Sequence, residues 1–295
     1  MSVYIGRFAP SPTGALHLGS LLAALGSFLD AKSHQGKWLV RIEDVDTTRT
    51  VKNADTQILK TLEAFGLLWD DQVVYQSQRT EAYQEALTYL QQHQQVYPCF
   101  CSRKKVKEEG KEGIDGAIYS GHCRLFLSND FTQPHSWRFY VPKGVFGFED
   151  RILGTYNQNV HEQIGDFILK RRDHLWAYQL AVVVDDAWQN ITHIVRGQDL
   201  LISTPRQIAL QQALGLPTPQ YAHLPLLVNN HGQKLSKQTL APALNLHETL
   251  TLLKKVLPFL GLLPPNGIDT IDDLLQWAIT HWHITQVPKQ AFEIR

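Results

Sequence analysis

Neither sign of charge prevails in this chain: lysine plus arginine number 28, and aspartate plus glutamate 28. A protein that grips nucleic acid along a long track shows a net basic surface, so any such contact here has to be local. Cysteine is scarce. Three of them, an odd number, argue against a disulfide framework and leave metal binding, catalysis or burial. Long apolar runs are missing too. The longest candidate, Leu250 to Leu263, is broken by Lys254, Lys255 and Pro258, well short of the roughly 18–20 residues of a membrane span. The first residues, MSVYIGRFAP, carry neither the basic stretch nor the apolar core of a signal peptide. The expectation is a cytoplasmic chain with no membrane partner. What is present, 43% hydrophobic and 19% charged residues, is ordinary for a globular protein and excludes global disorder.

The first hundred residues alternate strand and helix signals. Val3 to Phe8 reads as a short buried strand, and Leu18, Leu21, Leu22, Leu25, Phe28 and Leu29 then recur at helical spacing. KWLVRIED is a second strand running into acids. Ile58, Leu62 and Phe65 mark a helix closed by Gly66, and Tyr83, Leu87 and Leu90 mark another. Such alternation predicts an α/β fold with a parallel sheet and crossover helices. From Cys99 to about Gly165 the pattern gives way to glycines, charges and isolated aromatics, as in an insertion. It then returns: AVVVDD reads as a buried strand and ITHIVRG as another. STPRQIALQQALG reads as a helix capped by Ser203 or Thr204, with Pro205 in its first turn and Gly215 at its end. Four segments result: a first core half (1–98), an insertion (99–165), a second core half (166–240) and a short helical tail (241–295).

The stretch GRFAPSPTGALHLGS, Gly6 to Ser20, joins the first strand to the first helix. In an open parallel sheet ligands bind beyond the carboxyl ends of the strands, where a helix N-terminus offers free N–H groups to an anion. Gly14 and Gly19 remove side chains where a nucleotide would clash, and His17 can donate to phosphate oxygens. A plain Pro/Gly turn before a core helix is the competing reading. Far downstream, NNHGQKLSKQ places Lys234 and Lys237 three apart on a glycine-fed loop, suited to closing over a triphosphate; a solvated lysine pair is the alternative.

HLGS and KLSKQ, in that order on a split α/β core, resemble the HIGH and KMSKS signatures of class I aminoacyl-tRNA synthetases. Ser20 stands for the second histidine and Leu235 for the methionine. RFAPSPTGALHLG, RIEDVDTTR and VRGQDLL are similar to the glutamate-specific branch. The resemblance implies a Rossmann-type sheet interrupted by a zinc-binding insertion. It implies ATP bound by Gly14, His17, Gly19, Ser20, Lys234 and Lys237, with His17 and the two lysines catalytic. Charge placement supports glutamate separately: two carboxylates and an ammonium ask for about two cations and an acid. Arg7, Glu43 and Arg196 stand at the ends of three predicted strands. By resemblance Arg7, Ala9 and Ser11 contact the substrate, Glu43 holds its amino group, and Tyr178 and Arg196 complete the pocket. The plainer readings are Glu43 paired with Arg41 or Arg49, and Arg196 paired with Asp199. Asp44 and Asp46 raise the question of a magnesium site, but Mg2+ is expected to arrive on ATP.

Cys99, Cys101 and Cys123 form a C-x-C pair with a distant third thiol. They suit tetrahedral zinc at about 2.3 Å, given a fourth ligand. His122 and Tyr119 are the candidates. Histidine is the commoner ligand, yet His122 adjoins Cys123 and would need a tight turn that Tyr119 avoids. CxC…YxxxC also resembles the zinc site in the acceptor-end insertion of the family, where tyrosine is the fourth ligand. Three reduced structural cysteines are the alternative. SRKKVK and KRR, flanking the insertion, offer either a basic edge for a phosphate backbone or a solvated face.

The residues after Lys237 are too few for a separate anticodon-reading domain, and Phe259, Trp277, Trp282 and Phe292 read as packing against the core. Amino-acid activation without anticodon reading resembles the glutamyl-queuosine tRNA(Asp) synthetases, a truncated paralogue family. That resemblance implies a monomer with ATP, L-glutamate and queuosine-bearing tRNA(Asp) as partners. Two alternatives are an acceptor-end glutamyl-tRNA synthetase working with a partner, and a non-catalytic glutamate- or RNA-binding relative.

Overall fold

The computed structural model describes residues 3–125, 133–235 and 241–294. It begins with strand β1 (Ile5–Phe8), helix α1 (Leu18–Ser33) and strand β2 (Lys37–Ile42). The strands are parallel, with Arg7 opposite Leu39. Helix α1 forms where the leucine spacing predicts it and buries Leu21, Leu22, Leu25 and Leu29. Helix α2 (Ala54–Ala64) ends at Gly66, whose φ of +70° lies in the left-handed region. Strand β3 (Val74–Tyr75) then extends the sheet beyond β2.

The second half of the sheet begins after the insertion. Strand His193–Gly197 runs parallel to Gln220–Leu224, and helix Thr204–Leu214 connects them with Ser203 as cap, proline in its first turn and Gly215 left-handed at its end. The halves join at Thr192. Its N–H donates to the Ile5 carbonyl at 2.9 Å, and its hydroxyl accepts the Ile5 N–H at 2.9 Å. The strand order therefore reverses between β1 and His193–Gly197, the place where an open α/β sheet binds its ligand.

Three features differ from the sequence expectation. AVVVDD is the middle of a helix, Tyr178–Trp188, and not a strand. It is packed so fully, down to Asp185 and Asp186, that no helical stripe is left to read, and an all-apolar run does not distinguish the two states. Within 99–165, the hairpin of strands Phe146–Asp150 and Gly154–Gln158 joins the core sheet, with Asp150 opposite Tyr221. Ser136–Phe139 instead pairs antiparallel with two strands that flank the stretch, Val96–Cys99 and Phe167–Lys170, and Lys111–Gly113 forms a small hairpin with Gly116–Ile118. The tail is not wholly helical: helices Thr249–Val256 and Ile271–His281 are followed by strand Phe292–Glu293, which pairs with Leu227–Val228. Its Leu253, Val256, Leu274 and Trp282 share one core with α1, and Phe259, Trp277 and Phe292 pack against it. Among the described residues no helix is long and apolar enough to cross a membrane.

Candidate active site

Arg7 leaves the end of β1 and reaches the helix Tyr178–Trp188. Its Nε donates to Asp186 Oδ1 at 3.1 Å and its Nη2 to Asp186 Oδ2 at 3.3 Å, with both side chains buried. Arg41, wholly buried on β2, donates to the same carboxylate at 2.8 Å and to Glu43 Oε1 at 3.2 Å. Burial would raise Asp186, but Arg7 and Arg41 hold it below its ordinary value. Glu43 goes the other way. Burial raises it despite Arg41 and Arg7, with Asp186 adding to the shift. The Arg41 pairing foreseen for Glu43 is therefore present, while Arg49 turns to Asp46 instead.

Tyr178 opens its helix beside these charges. Burial raises its hydroxyl; Glu43 adds to the rise, and Arg196 and Arg7 oppose it. Arg196 is clamped along one edge and does not pair with Asp199. Its Nε donates to His223 Nε2 at 3.3 Å, and its Nη2 to Thr204 Oγ1 at 2.8 Å and Gln207 Oε1 at 2.9 Å. Its Nη1 is buried with no acceptor among the described residues, an arrangement that suits an incoming carboxylate. The structure thus brings Arg7, Glu43, Tyr178 and Arg196 together.

The loop after β1 is tied across the sheet edge, the Glu43 N–H donating to the Pro10 carbonyl at 3.0 Å and Thr13 N–H to Ser11 at 2.8 Å. Ala9 and Ser11 lie on this half-buried loop, and Gly14 turns it at a φ of +132°. His17 caps α1: Ser20 N–H donates to His17 Nδ1 at 3.3 Å, and the His17 N–H to Ser20 Oγ at 3.5 Å. With Nδ1 accepting, the neutral ring carries its proton on Nε2. The serine of HLGS thus completes a capping box. A Cβ on Gly19 would lie 3.2 Å from the His17 ring and 3.6 Å from the Leu235 carbonyl, so the two signature segments meet at this glycine. Lys234 Nζ is 2.5 Å from Asp199 Oδ2. Lys237 lies outside the described residues.

The cysteine sulfurs converge within 4.8 Å of one another. The Tyr119 hydroxyl stands 3.5 Å from Cys99 Sγ and from Cys101 Sγ and accepts the Cys123 N–H at 2.7 Å. His122 faces Lys105 Nζ at 3.2 Å and Glu109 at 3.8 Å. At 3.5 Å, Cys101 and Cys123 are not bonded. Arg138 donates to Cys99 Sγ at 3.2 Å with its guanidinium 4.0 Å over the Tyr119 ring. Burial pushes the Cys101 thiol up to about 11, whereas hydrogen bonds from Tyr119 and the Phe100 backbone hold Cys123 below its ordinary value despite burial. This donor set could hold a metal ion. Asp44 and Asp46 do not form a second one: Asp44 accepts from Ser77, and Asp46 from Thr48 and Arg171. The basic clusters are largely exposed, with Lys104 and Lys105 pairing with Glu108 and Glu109 and Arg172 donating to the Phe100 carbonyl.

The family model for the catalytic domain of class I tRNA synthetases (E and Q) matches residues 4–251. This chain belongs to that family. It is therefore an ATP-dependent ligase of the tRNA synthetase class. A curated relative from Neisseria meningitidis, named glutamyl-Q tRNA(Asp) synthetase, is 55% identical over 98% of this chain and 99% of its own. One of the same name from Chromobacterium violaceum is 49% identical over 99% and 98%. The crystal structure of glutamate-tRNA synthetase from Elizabethkingia anophelis superposes with a TM-score of 0.84 at 25% identity, over all of this chain and 68% of that one.

The sequence of this synthetase-family chain offers Arg41 only as a partner for Glu43, and it does not single out Asp186, His223 or Asp150. The signal for the acids was there. Two adjacent aspartates ending a buried apolar run need cations, and Arg7 and Arg41 stand on the neighbouring strands.

Proposed function

We propose that this chain activates L-glutamate with ATP and transfers it to the queuosine base at the wobble position of tRNA(Asp). One glutamate carboxylate oxygen attacks the α-phosphorus and pyrophosphate leaves, giving glutamyl-adenylate. A hydroxyl of the queuosine cyclopentenediol then attacks the acyl carbon, AMP leaves, and the hydroxyl proton passes to solvent. The single observation that carries the glutamate reading is the buried Nη1 of Arg196, which has no acceptor among the described residues, set with Arg7 and Glu43 around Tyr178. A dicarboxylate with one ammonium matches that charge pattern.

Each residue then has a task. Arg7 and Arg196 receive the carboxylates, Glu43 the ammonium, and Tyr178, Ala9 and Ser11 shape the pocket. The backbone around Gly14, Gly19 and Ser20 lies against the nucleotide. His17, with its proton on Nε2, donates to the phosphates as charge develops, and Lys234 and Lys237 stabilise the departing pyrophosphate. Mg2+ enters on ATP. Cys99, Cys101, Tyr119 and Cys123 would hold zinc and with it order the insertion, from which the 146–158 hairpin is given to the core. The compartment is the cytoplasm and the working unit a monomer. The named relatives, matched over nearly their whole length, support the RNA target.

The test is transfer of radiolabelled glutamate, with ATP, to tRNA(Asp) with and without queuosine, and to tRNA(Glu). Label only on the queuosine-bearing RNA supports the proposal. Label on tRNA(Glu) instead returns the chain to ordinary aminoacylation.

A further inference from the structure

Arg196 is held by a chain of buried groups that extends to the strand Phe146–Asp150. Its immediate neighbour is His223, fully buried on Gln220–Leu224. His223 Nδ1 lies 2.6 Å from Asp150 Oδ2. Asp150 Oδ1 accepts three main-chain N–H groups, from Ile152 at 3.0 Å, Leu153 at 2.9 Å and His223 at 3.3 Å. A carboxylate so surrounded by donors stays an acceptor, so the proton between it and the ring belongs to Nδ1. That fixes the tautomer. Nε2 is left as an acceptor, and it faces Arg196 Nε at 3.3 Å and the Thr204 hydroxyl at 3.1 Å. The opposite tautomer would set two donors against each other.

We infer that Asp150 and His223 are positioning residues for glutamate. Asp150 sets the His223 tautomer, His223 takes the Nε edge of Arg196, and Thr204 and Gln207 take Nη2. Every guanidinium nitrogen but Nη1 is engaged, so the substrate carboxylate meets a fixed donor rather than a mobile side chain. This rests on Arg196 as a glutamate contact. The hairpin carrying Asp150 lies in the stretch that the sequence reads as an insertion, which gives that stretch a part in amino-acid selection.

Calorimetric titration of the full chain with glutamate and, separately, with ATP tests the inference. His223→Asn keeps a donor for Asp150 but does not reach Arg196; His223→Gln places an amide oxygen near the position of Nε2. Asp150→Asn turns an amide N–H toward the ring and forces the wrong tautomer. Glutamate binding should weaken about tenfold in His223→Asn and Asp150→Asn, the loss of a hydrogen bond to a charged group, with ATP binding unchanged. His223→Gln should bind glutamate nearly as the wild type does, and the Asp150→Asn/His223→Asn double variant should be no weaker than either single one. Equal losses for glutamate and ATP, or a His223→Gln variant as weak as His223→Asn, overturn the inference. Should His223→Asn not fold, the isosteric Asp150→Asn decides it alone. Arg196→Ala separates the two readings: wild-type glutamate binding there removes Arg196 as a contact, whereas weak binding there with normal binding in Asp150→Asn removes only the positioning role.

Discussion

Asp186 lies between Arg7 and Arg41, accepting from the first at 3.1 and 3.3 Å and from the second at 2.8 Å, with all three side chains buried. One carboxylate thus neutralises two guanidiniums, and Glu43 shares the second. Removing Asp186, the carboxylate shared by both guanidiniums, leaves uncompensated buried charge, a cost of about 3–5 kcal/mol.

Asp186→Ala should therefore lose about 3–5 kcal/mol of stability in urea denaturation at neutral pH. The pH dependence has a definite sign. The folded carboxyl is held below its ordinary value of 3.8, so its contribution is complete above that value and is lost as pH falls through the lower folded one. The stability gap between wild type and variant should stay constant from neutral pH down to about 5 and close in more acid solution. A gap that widens with acid would contradict the pairing.

Glu43 should show the opposite sign. Its carboxyl is raised above the ordinary 4.5 by burial, so the fold takes up a proton there and loses stability as pH climbs from 4.5 through the folded value. Glu43→Gln removes the charge and that loss. The variant should melt higher than the wild type at neutral pH, with the advantage fading toward pH 4, and should bind glutamate poorly. Under the proposed function, stability is given up at this position to hold an ammonium. Thermal melts at several pH values check it; a variant less stable than the wild type at neutral pH would show that Arg41 depends on Glu43 more than on Asp186.

The parts of this site legible in sequence are those with local causes. The α1 stripe, the Pro/Gly entry at Gly6–Ser20 and the caps of Thr204–Leu214 are short-range signals, and the structure follows them. Arg7, Glu43 and Arg196 stand at the ends of strands that the sequence itself marks. What was not legible is what long-range packing decides. Asp186 sits 179 residues from Arg7, and its run reads as a strand because burial of nearly all of Leu180 to Asp186 hides the helical period. Phe292–Glu293 is a two-residue strand defined only by its partner, Leu227–Val228, and the hairpin at 146–158 declares its sheet only through Tyr221.

The lysines should separate binding from chemistry. Gly19 brings the start of α1 under the Leu235 carbonyl, and Lys234 stands on the strand edge opposite Val228 with Asp199 as partner. A cation acting on charge that develops in the transition state affects rate more than ground-state binding. Lys234→Ala and Lys237→Ala should each lower adenylate formation by about 10²–10³-fold, with glutamate affinity unchanged by calorimetry. Equal effects on both would argue against a transition-state contact.

The cysteine cluster yields a prediction about ligand identity. Tyr119 presents its hydroxyl to two sulfurs, while His122 is turned toward Lys105 and Glu109. Elemental analysis of the purified chain should find about one zinc per molecule, the stoichiometry of a closed tetrahedral site. Cys99→Ser and Cys123→Ser should abolish it. Tyr119→Phe should retain the three thiolates yet release zinc to a competing chelator far sooner than wild type, because an apolar ring edge replaces the fourth donor. His122→Ala should hold zinc as the wild type does. If His122→Ala loses the metal and Tyr119→Phe keeps it, the two donors exchange roles, and the short loop between them must refold on binding. Loss in neither would leave the three cysteines with a partner from elsewhere in the insertion, within reach of sulfurs that already lie inside 4.8 Å.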